Sequence, residues 1–334
     1  MVGLLLQYLD TGQNMDKNVP DGVPQSQKLT GMWWRHLVSG GVAGAVSATC
    51  TAPLDRIKVY MQVRKTLNSL MLNKKRSHVF KVQGTKNTSI KNCWTHLLKE
   101  GGIWSFWRGN GMNVIKIAPE NAIKFMAYEQ AKRMIMGNQK RDLPIHERFV
   151  AGSLAGAISQ TVIYPLEVMK TRLALRKTGQ YKNLVDAVRK MYETEGIRGY
   201  YRGYVPNIFR TIPNAGINLA VYETLKNTYL RQQGDKNEKS SVLLPLLCGS
   251  TSSTCAQVCT YPFALVATRL QAQVTTPGQT GGTMTRMMRQ IWKAEGFSGF
   301  YRGLTPSLMR TVPAISIGYL IYERCREALG VRMA

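Results

Sequence analysis

Thr51-Ala-Pro53-Leu-Asp55-Arg-Ile-Lys58, Ile163-Tyr-Pro165-Leu-Glu167-Val-Met-Lys170 and Thr260-Tyr-Pro262-Phe-Ala264-Leu-Val-Ala267-Thr-Arg269 are three copies of one pattern. The third copy keeps the proline but has alanine at both charged positions. Downstream of each stands an aromatic-basic-glycine triplet: Trp107-Arg108-Gly109, Tyr201-Arg202-Gly203 and Tyr301-Arg302-Gly303. Glu195-Gly196 and Glu295-Gly296 precede the last two triplets at equal distance, and Glu100 lies one residue further from the first. A second proline follows each triplet, and nine positions beyond it comes a Tyr-Glu-x-x-basic cluster: Pro119 with Tyr128 to Lys132, Pro213 with Tyr222 to Lys226, Pro313 with Tyr322 to Arg326. Fixed offsets of this kind mark an internal repeat. The first prolines are 112 and 97 positions apart and the triplet glycines 94 and 100, so the unit is about 100 residues long. The sequence therefore divides into a linker at 1–30 and repeats at 31–138, 139–236 and 237–334. The linker is expected to be poorly ordered. The longer first repeat carries a polar, basic insert at about 66–90, read as a solvated loop.

Composition narrows the class. In 334 residues there are 45 Lys and Arg against 19 Asp and Glu, a formal net charge of +26. That charge suits a nucleic-acid binder or a membrane protein that handles anions. Six cysteines without a C-x-x-C pair exclude a disulfide mini-protein and a zinc ribbon. An apolar fraction of 44% excludes a disordered tail protein. The histidines at 36, 78, 96 and 146 are dispersed, and there is no P-loop or nucleophile elbow, so no enzyme chemistry and no resident metal or cofactor is expected.

Charge-free runs point to the membrane. Leu37 to Leu54 and Phe149 to Leu166 are 18 residues each and Ser240 to Thr268 is 29. Each can span a bilayer core of about 30 Å. All are rich in small residues at a spacing of four, as in Gly40/Gly44, Gly152/Gly156 and Gly249/Ser253, which lets helices approach closely. The second helix of each repeat is less apolar; Thr211 to Tyr222 is only 12 residues. Each has a basic residue three positions before its proline: Lys116, Arg210 and Arg310. A charge at mid-membrane depth is costly unless it faces protein or a watery cavity, so the three converge on one interior level. No cleavable signal peptide is visible, because Gly3 to Leu6 is too short an apolar run.

This combination resembles the mitochondrial carrier family over about residues 31–330. Within it, stretches such as Gly31 to Val38, Lys116 to Glu129, His146 to Gly156 and Ala174 to Tyr181 resemble the ATP-Mg/phosphate carriers. The resemblance implies an all-α membrane protein: six transmembrane helices in a pseudo-three-fold barrel, with a short matrix-side amphipathic helix per repeat. It places the chain in the mitochondrial inner membrane as a monomer, both termini towards the intermembrane space. Many such carriers have an N-terminal calcium-sensing domain of EF-hands. The sequence holds no D-x-D-x-D-G loop, and residues 9–22 resemble only the linker after that domain, so a short form without the sensor is expected.

The resemblance also assigns roles. Asp55, Lys58, Glu167 and Lys170 belong to a matrix gate, with Gln62 and Gln271 as braces; Ala174 fills the third brace position. Asp55 pairs with Lys170, but Glu167 and Lys58 meet only Ala267 and Ala264, so one of three matrix pairs can form and that gate is expected to be weak. The cytoplasmic gate is complete: Glu129 with Lys226, Glu223 with Arg326, Glu323 with Lys132. Gly109, Gly203 and Gly303, with Arg108, Arg202 and Arg302, are expected to hold cardiolipin, since free N–H groups at helix starts attract phosphate. The substrate stripe is Lys116, Glu120 and Lys124, spaced by four, with Arg210, Thr211 and Arg310 at the other corners. Three or four cations around a small cavity call for a polyanion. Adenine-nucleotide carriers usually have Gly and an aliphatic residue where Arg210-Thr211 stands, an acid at Asn218 and an Arg at Ala48. The expected function is calcium-independent exchange of adenine nucleotide, with magnesium only as part of the substrate, for phosphate. Alternatives are another phosphorylated anion such as coenzyme A or adenosine phosphates, a carrier-fold scaffold without turnover, and a soluble nucleic-acid binder; no nucleic-acid partner is expected.

Overall fold

A computed structural model describes residues 25–72, 90–137, 144–176, 184–233, 243–273 and 282–328. Nine α-helices form among them. Three are long first helices, α1 (Gln25–Leu72), α4 (Ile145–Leu175) and α7 (Leu243–Gln271). Three are short, α2 (Ile90–Gly101), α5 (Leu184–Tyr200) and α8 (Met284–Glu295). Three are long second helices, α3 (Asn110–Met136), α6 (Tyr204–Gln233) and α9 (Leu304–Ala328). In repeats 1 and 3 a five-residue 3-10 turn leads to the triplet, Ile103–Trp107 and Phe297–Tyr301.

The six long helices close into a ring. α3 packs on α4, α6 on α7 and α9 on α1, while α1 with α3, α4 with α6 and α7 with α9 pair inside each repeat. Ser47 on α1 donates to the Ala314 carbonyl on α9 at 2.7 Å, joining the last repeat to the first. Each long helix contains an internal proline: 53, 119, 165, 213, 262 and 313. Proline removes a backbone donor and bends the helix. Beyond Pro53, Pro165 and Pro262, α1, α4 and α7 also touch one another, so the ring narrows at that end.

The outer surface is apolar. Ile115, Met126, Val150, Leu154, Val162, Phe209, Val312 and Leu320 are all exposed. By composition alone, one helix among the described residues, over His146–Leu175, is long and apolar enough to cross a membrane; α3, α6 and α9 carry Lys116, Arg210 and Arg310 among their apolar residues. Small residues do the packing between neighbours: a Cβ on Gly156 would lie 3.2 Å from the Thr211 methyl, and Gly216 sits against the Phe149 ring. The short helices bury matching pairs, Cys93/Leu97, Ala187/Met191 and Met287/Ile291. They and the 3-10 turns that follow leave Trp94, Trp104, Tyr192, Trp292 and Phe297 outside, which suits a headgroup-level aromatic belt.

Two boundaries differ from the sequence reading. α1 starts at Gln25, inside the stretch assigned to a poorly ordered linker, and continues to Leu72, inside the stretch assigned to the basic loop. Residues 25–30 and 66–72 contain no proline or glycine to break a helix already nucleated. The rest of the linker, 1–24, the rest of the insert, 73–89, and the repeat borders at 138/139 and 236/237 lie outside the described residues.

Candidate functional site

The ring interior gathers charge. Lys116, a turn before Pro119 on α3, is bonded to Glu120 on its own helix at 3.1 Å and, by a short contact, to Glu167 on α4. Arg310 on α9 pairs with Asp55 on α1 at 2.9 Å and reaches the Thr51 hydroxyl at 3.4 Å. Asp55 also meets Lys170 on α4 at 3.8 Å. Lys58 and Lys170 both lie within electrostatic reach of Asp55, and Lys124 within reach of Glu120 and Arg210. Arg210 donates to Asn207 Oδ1 at 3.2 and 3.1 Å. Asn207 donates to Gln160 at 2.8 Å, and Gln160 to Glu120 at 3.4 Å. This connected cluster has six cations (58, 116, 124, 170, 210, 310) and three carboxylates (55, 120, 167), an excess of three positive charges. Thr211 is turned onto its own helix, donating to the Asn207 carbonyl at 2.8 Å.

Here the structure differs from the repeat alignment. Glu167, left without a partner by Ala267, is held by Lys116. Asp55 is shared between Lys170 and Arg310. Two residues assigned to substrate are thus bonded to two residues assigned to the gate.

The narrow end is fastened in other ways too. Gln62 donates to the Tyr261 hydroxyl at 2.8 Å, and Tyr261 to the Arg302 carbonyl at 2.9 Å. Gln271 donates to the Tyr164 hydroxyl at 3.1 Å, and Tyr164 to the Arg202 carbonyl at 2.9 Å. These are the seams between repeats 3 and 1 and between repeats 2 and 3. At the seam between repeats 1 and 2 both partners are alanine, Ala174 and Ala52. That seam instead has the Asp55–Lys170 pair, so two seams share a Gln-to-Tyr hydrogen bond and the third is fastened by an ion pair.

A second ring of contacts lies outside the gate. Arg172 grips Glu195 at 2.6 and 3.0 Å and donates to the Gln271 carbonyl at 3.0 Å. Arg269 meets Glu295 at 2.7 Å and the Gln62 carbonyl at 2.8 Å. Arg202 and Arg302 share the same carboxylates, at 3.5 and 2.8 Å. In repeat 1 the arginine comes from one turn earlier, Arg56, and the acid from one residue further off, Glu100. Arg56 and Arg108 reach it only at 3.5 and 3.6 Å, and Arg56 Nε and Nη1 are buried without a hydrogen-bond partner. Sequence reading missed these clamps and the two tyrosines. The signal was present: Arg172 and Arg269 both stand seven positions after the motif proline, and Tyr164 and Tyr261 one before it.

Gly109, Gly203 and Gly303 have φ of +85°, +81° and +82°, and each starts a second helix. Each rests on the next repeat: a Cβ would lie 3.1 Å from the Lys170 carbonyl, 2.8 Å from that of Ala267 and 3.3 Å from that of Lys58. The triplet arginines are engaged with the carboxylates just described. At the wide end, Glu129, Lys226, Glu223, Arg326, Glu323 and Lys132 are half-buried. None of the pairs 129/226, 223/326 and 323/132 is among the ion pairs of the described residues.

Comparison with known proteins gives a consistent picture. The family model "Mitochondrial carrier protein" matches residues 30–139, 141–233 and 238–332. The calcium-binding mitochondrial carrier protein SCaMC-2-A of Danio rerio is 54% identical over 323 residues, 97% of this chain and 65% of its own length. SCaMC-2 of Xenopus laevis is 53% identical, over 97% of this chain and 59% of its own length. The mitochondrial adenyl nucleotide antiporter SLC25A25 of Homo sapiens is 51% identical, over 97% and 65%. The chain thus spans a little under two thirds of the length of these relatives.

Proposed function

Because the chain belongs to the mitochondrial carrier family, we propose that it is a multi-pass antiporter of the mitochondrial inner membrane, exchanging adenine nucleotide, as magnesium ATP or as ADP, for phosphate. The relatives named as adenyl nucleotide antiporters support the substrate class. The observation that carries the reading is the interior excess of three positive charges around Lys116, Arg210 and Arg310. A buried excess of that size stabilises a phosphate chain through charge-assisted hydrogen bonds. The internal prolines of the six long helices lie around this cluster, and bends around a fixed central site suit alternating access. The chain is a transporter rather than an enzyme, working as a monomer with both termini towards the intermembrane space. It needs no resident cofactor and no calcium; magnesium enters only with the nucleotide. The free N–H groups of α3, α6 and α9 behind Gly109, Gly203 and Gly303 are the proposed cardiolipin contacts.

Reconstitution tests this directly. Liposomes carrying the 334-residue chain should exchange external labelled ATP for internal phosphate, at the same rate with micromolar calcium as with a chelator. Absence of exchange with any phosphorylated anion sinks the reading, and calcium activation sinks the calcium clause.

Arg210 favours a second substrate reading. It is fixed by Asn207 within the polar cluster, in the place where an adenine ring would need room. A smaller or more highly charged phosphorylated anion, or a differently placed adenosine phosphate such as coenzyme A, fits that arrangement. Replacing Arg210 by Gly and Thr211 by Ile together should raise ATP uptake relative to phosphate uptake. An unchanged ratio puts Arg210 outside the substrate's path.

The proposed cytoplasmic gate closes in the opposite state, when Glu129 meets Lys226, Glu223 meets Arg326 and Glu323 meets Lys132. Glu129→Ala and Lys226→Ala should each lower exchange, and the double variant should cost less than the sum. Strict additivity means that these two do not meet during the cycle.

A further inference from the structure

We infer that Glu167, left without a base at Ala267, is an internal counter-anion that competes with the incoming substrate for Lys116. This deepens the transport reading and rests on it. The Lys116 side chain is 12% exposed, and its ammonium already serves two carboxylates, Glu120 and Glu167. An ammonium has three donors, so one remains for a phosphate, and a second contact to Lys116 requires displacing a carboxylate. Glu120 is on the same helix four residues away and moves with Lys116; Glu167 is on α4 and is the one that can leave. The position that the repeat pattern gives Glu167 for a partner is Ala267, which is 3% exposed and uncharged. With no base from the third repeat, Glu167 takes the nearest substrate cation instead. Arg310 repeats the arrangement across the ring, held by Asp55 at 2.9 Å.

The consequence is a direct exchange of partners. While Lys116 holds Glu167, α3 is tied to α4 just past Pro165, where α4 also touches α1 and α7. A phosphate that takes this second contact to Lys116 breaks that tie, so tighter binding and loosening are the same event. A site occupied by its own carboxylate also binds its ligand more weakly, in proportion to the fraction of time it is free.

The test uses phosphate–phosphate self-exchange by the whole chain in liposomes. Glu167→Gln removes the competing charge and keeps the shape. Its KM for phosphate should fall by about threefold to tenfold, the gain from removing a standing competitor. Ala267→Lys offers Glu167 another base, and should lower KM similarly while lowering kcat, because phosphate does not displace that second tie. A purely structural Lys116–Glu167 pair predicts a different result: KM for Glu167→Gln unchanged or raised, with reduced thermal stability. That result overturns the inference. If the parent chain exchanges neither phosphate nor nucleotide, the transport reading falls, and thermal unfolding in detergent still decides the rest. Phosphate should raise the midpoint of Glu167→Gln more than that of the parent, and an equal or smaller rise overturns the inference.

Discussion

Glu195→Gln is expected to cost about 3–5 kcal/mol, the usual penalty for removing one partner of a buried ion pair. Glu195 is 3% exposed and faces two arginines, Arg172 at 5% and Arg202 at 15%. The amide can still accept a hydrogen bond but leaves both guanidinium charges without a counter-charge. Arg172 also holds the α7 end through the Gln271 and Gln273 carbonyls, so the loss loosens two repeats together. For a chain of this size the unfolding midpoint in detergent should drop on the order of 10 °C. Glu295→Gln should behave alike, since Arg269 and Arg302 depend on it at 2.7 and 2.8 Å. Glu100→Gln should be much milder, at about 1 kcal/mol or less. Glu100 is 21% exposed and its arginines stand off at 3.5 and 3.6 Å. Equal losses at all three sites would show that the clamps are alike and that the distances do not matter.

Arg310→Ala should reduce kcat/KM for phosphate and for ATP together by about tenfold to a hundredfold, the equivalent of losing one hydrogen bond to a charged group. The side chain is 30% exposed to the interior, the most open of the ion-paired cations there, which leaves a face for the substrate beside Asp55. Its removal also leaves Asp55 with Lys170 at 3.8 Å as its remaining ion pair, and Lys58 within electrostatic reach. Exchange of labelled ATP and phosphate at matched reconstitution measures this. Retention of either activity near the parent level would remove Arg310 from the transport path.

The repeat offsets made the ring legible, because architecture here follows from prolines, triplet glycines and charge-free runs that recur at fixed intervals. The interior cations were legible for a similar reason: a basic residue three before a proline occurs in all three units. The partner choices were not. The offsets pair Glu167 with position 267 by symmetry, and symmetry fails once that position is Ala267; only the packing of α3 on α4 brings Lys116 near enough to substitute. The Arg56 clamp was hidden differently. It moved one turn along α1 while its acid moved one residue away; the offset of Glu100 could be read from the sequence, but the arginine that meets it could not. The helix end at Leu72 was missed because polar, basic composition was read as a loop, and the start at Gln25 because the stretch before the first repeat was read as a linker, although a helix continuing out of a packed segment tolerates polar residues.

The glycine junctions bear on how such a chain can change over generations. Gly109, Gly203 and Gly303 lean on the carbonyls of Lys170, Ala267 and Lys58, main-chain atoms that every amino acid supplies, and the last two also on the Tyr164 and Tyr261 hydroxyls. The carbonyl part of each seat therefore does not depend on which side chain stands at 170, 267 or 58. Position 267 can hold a base or an alanine and the junction above it remains the same. Structural inheritance is thus separated from gating chemistry: substitutions can retune the locks one seam at a time while the barrel stays assembled, and a three-fold ancestor can drift into an asymmetric machine without passing through an unfolded one.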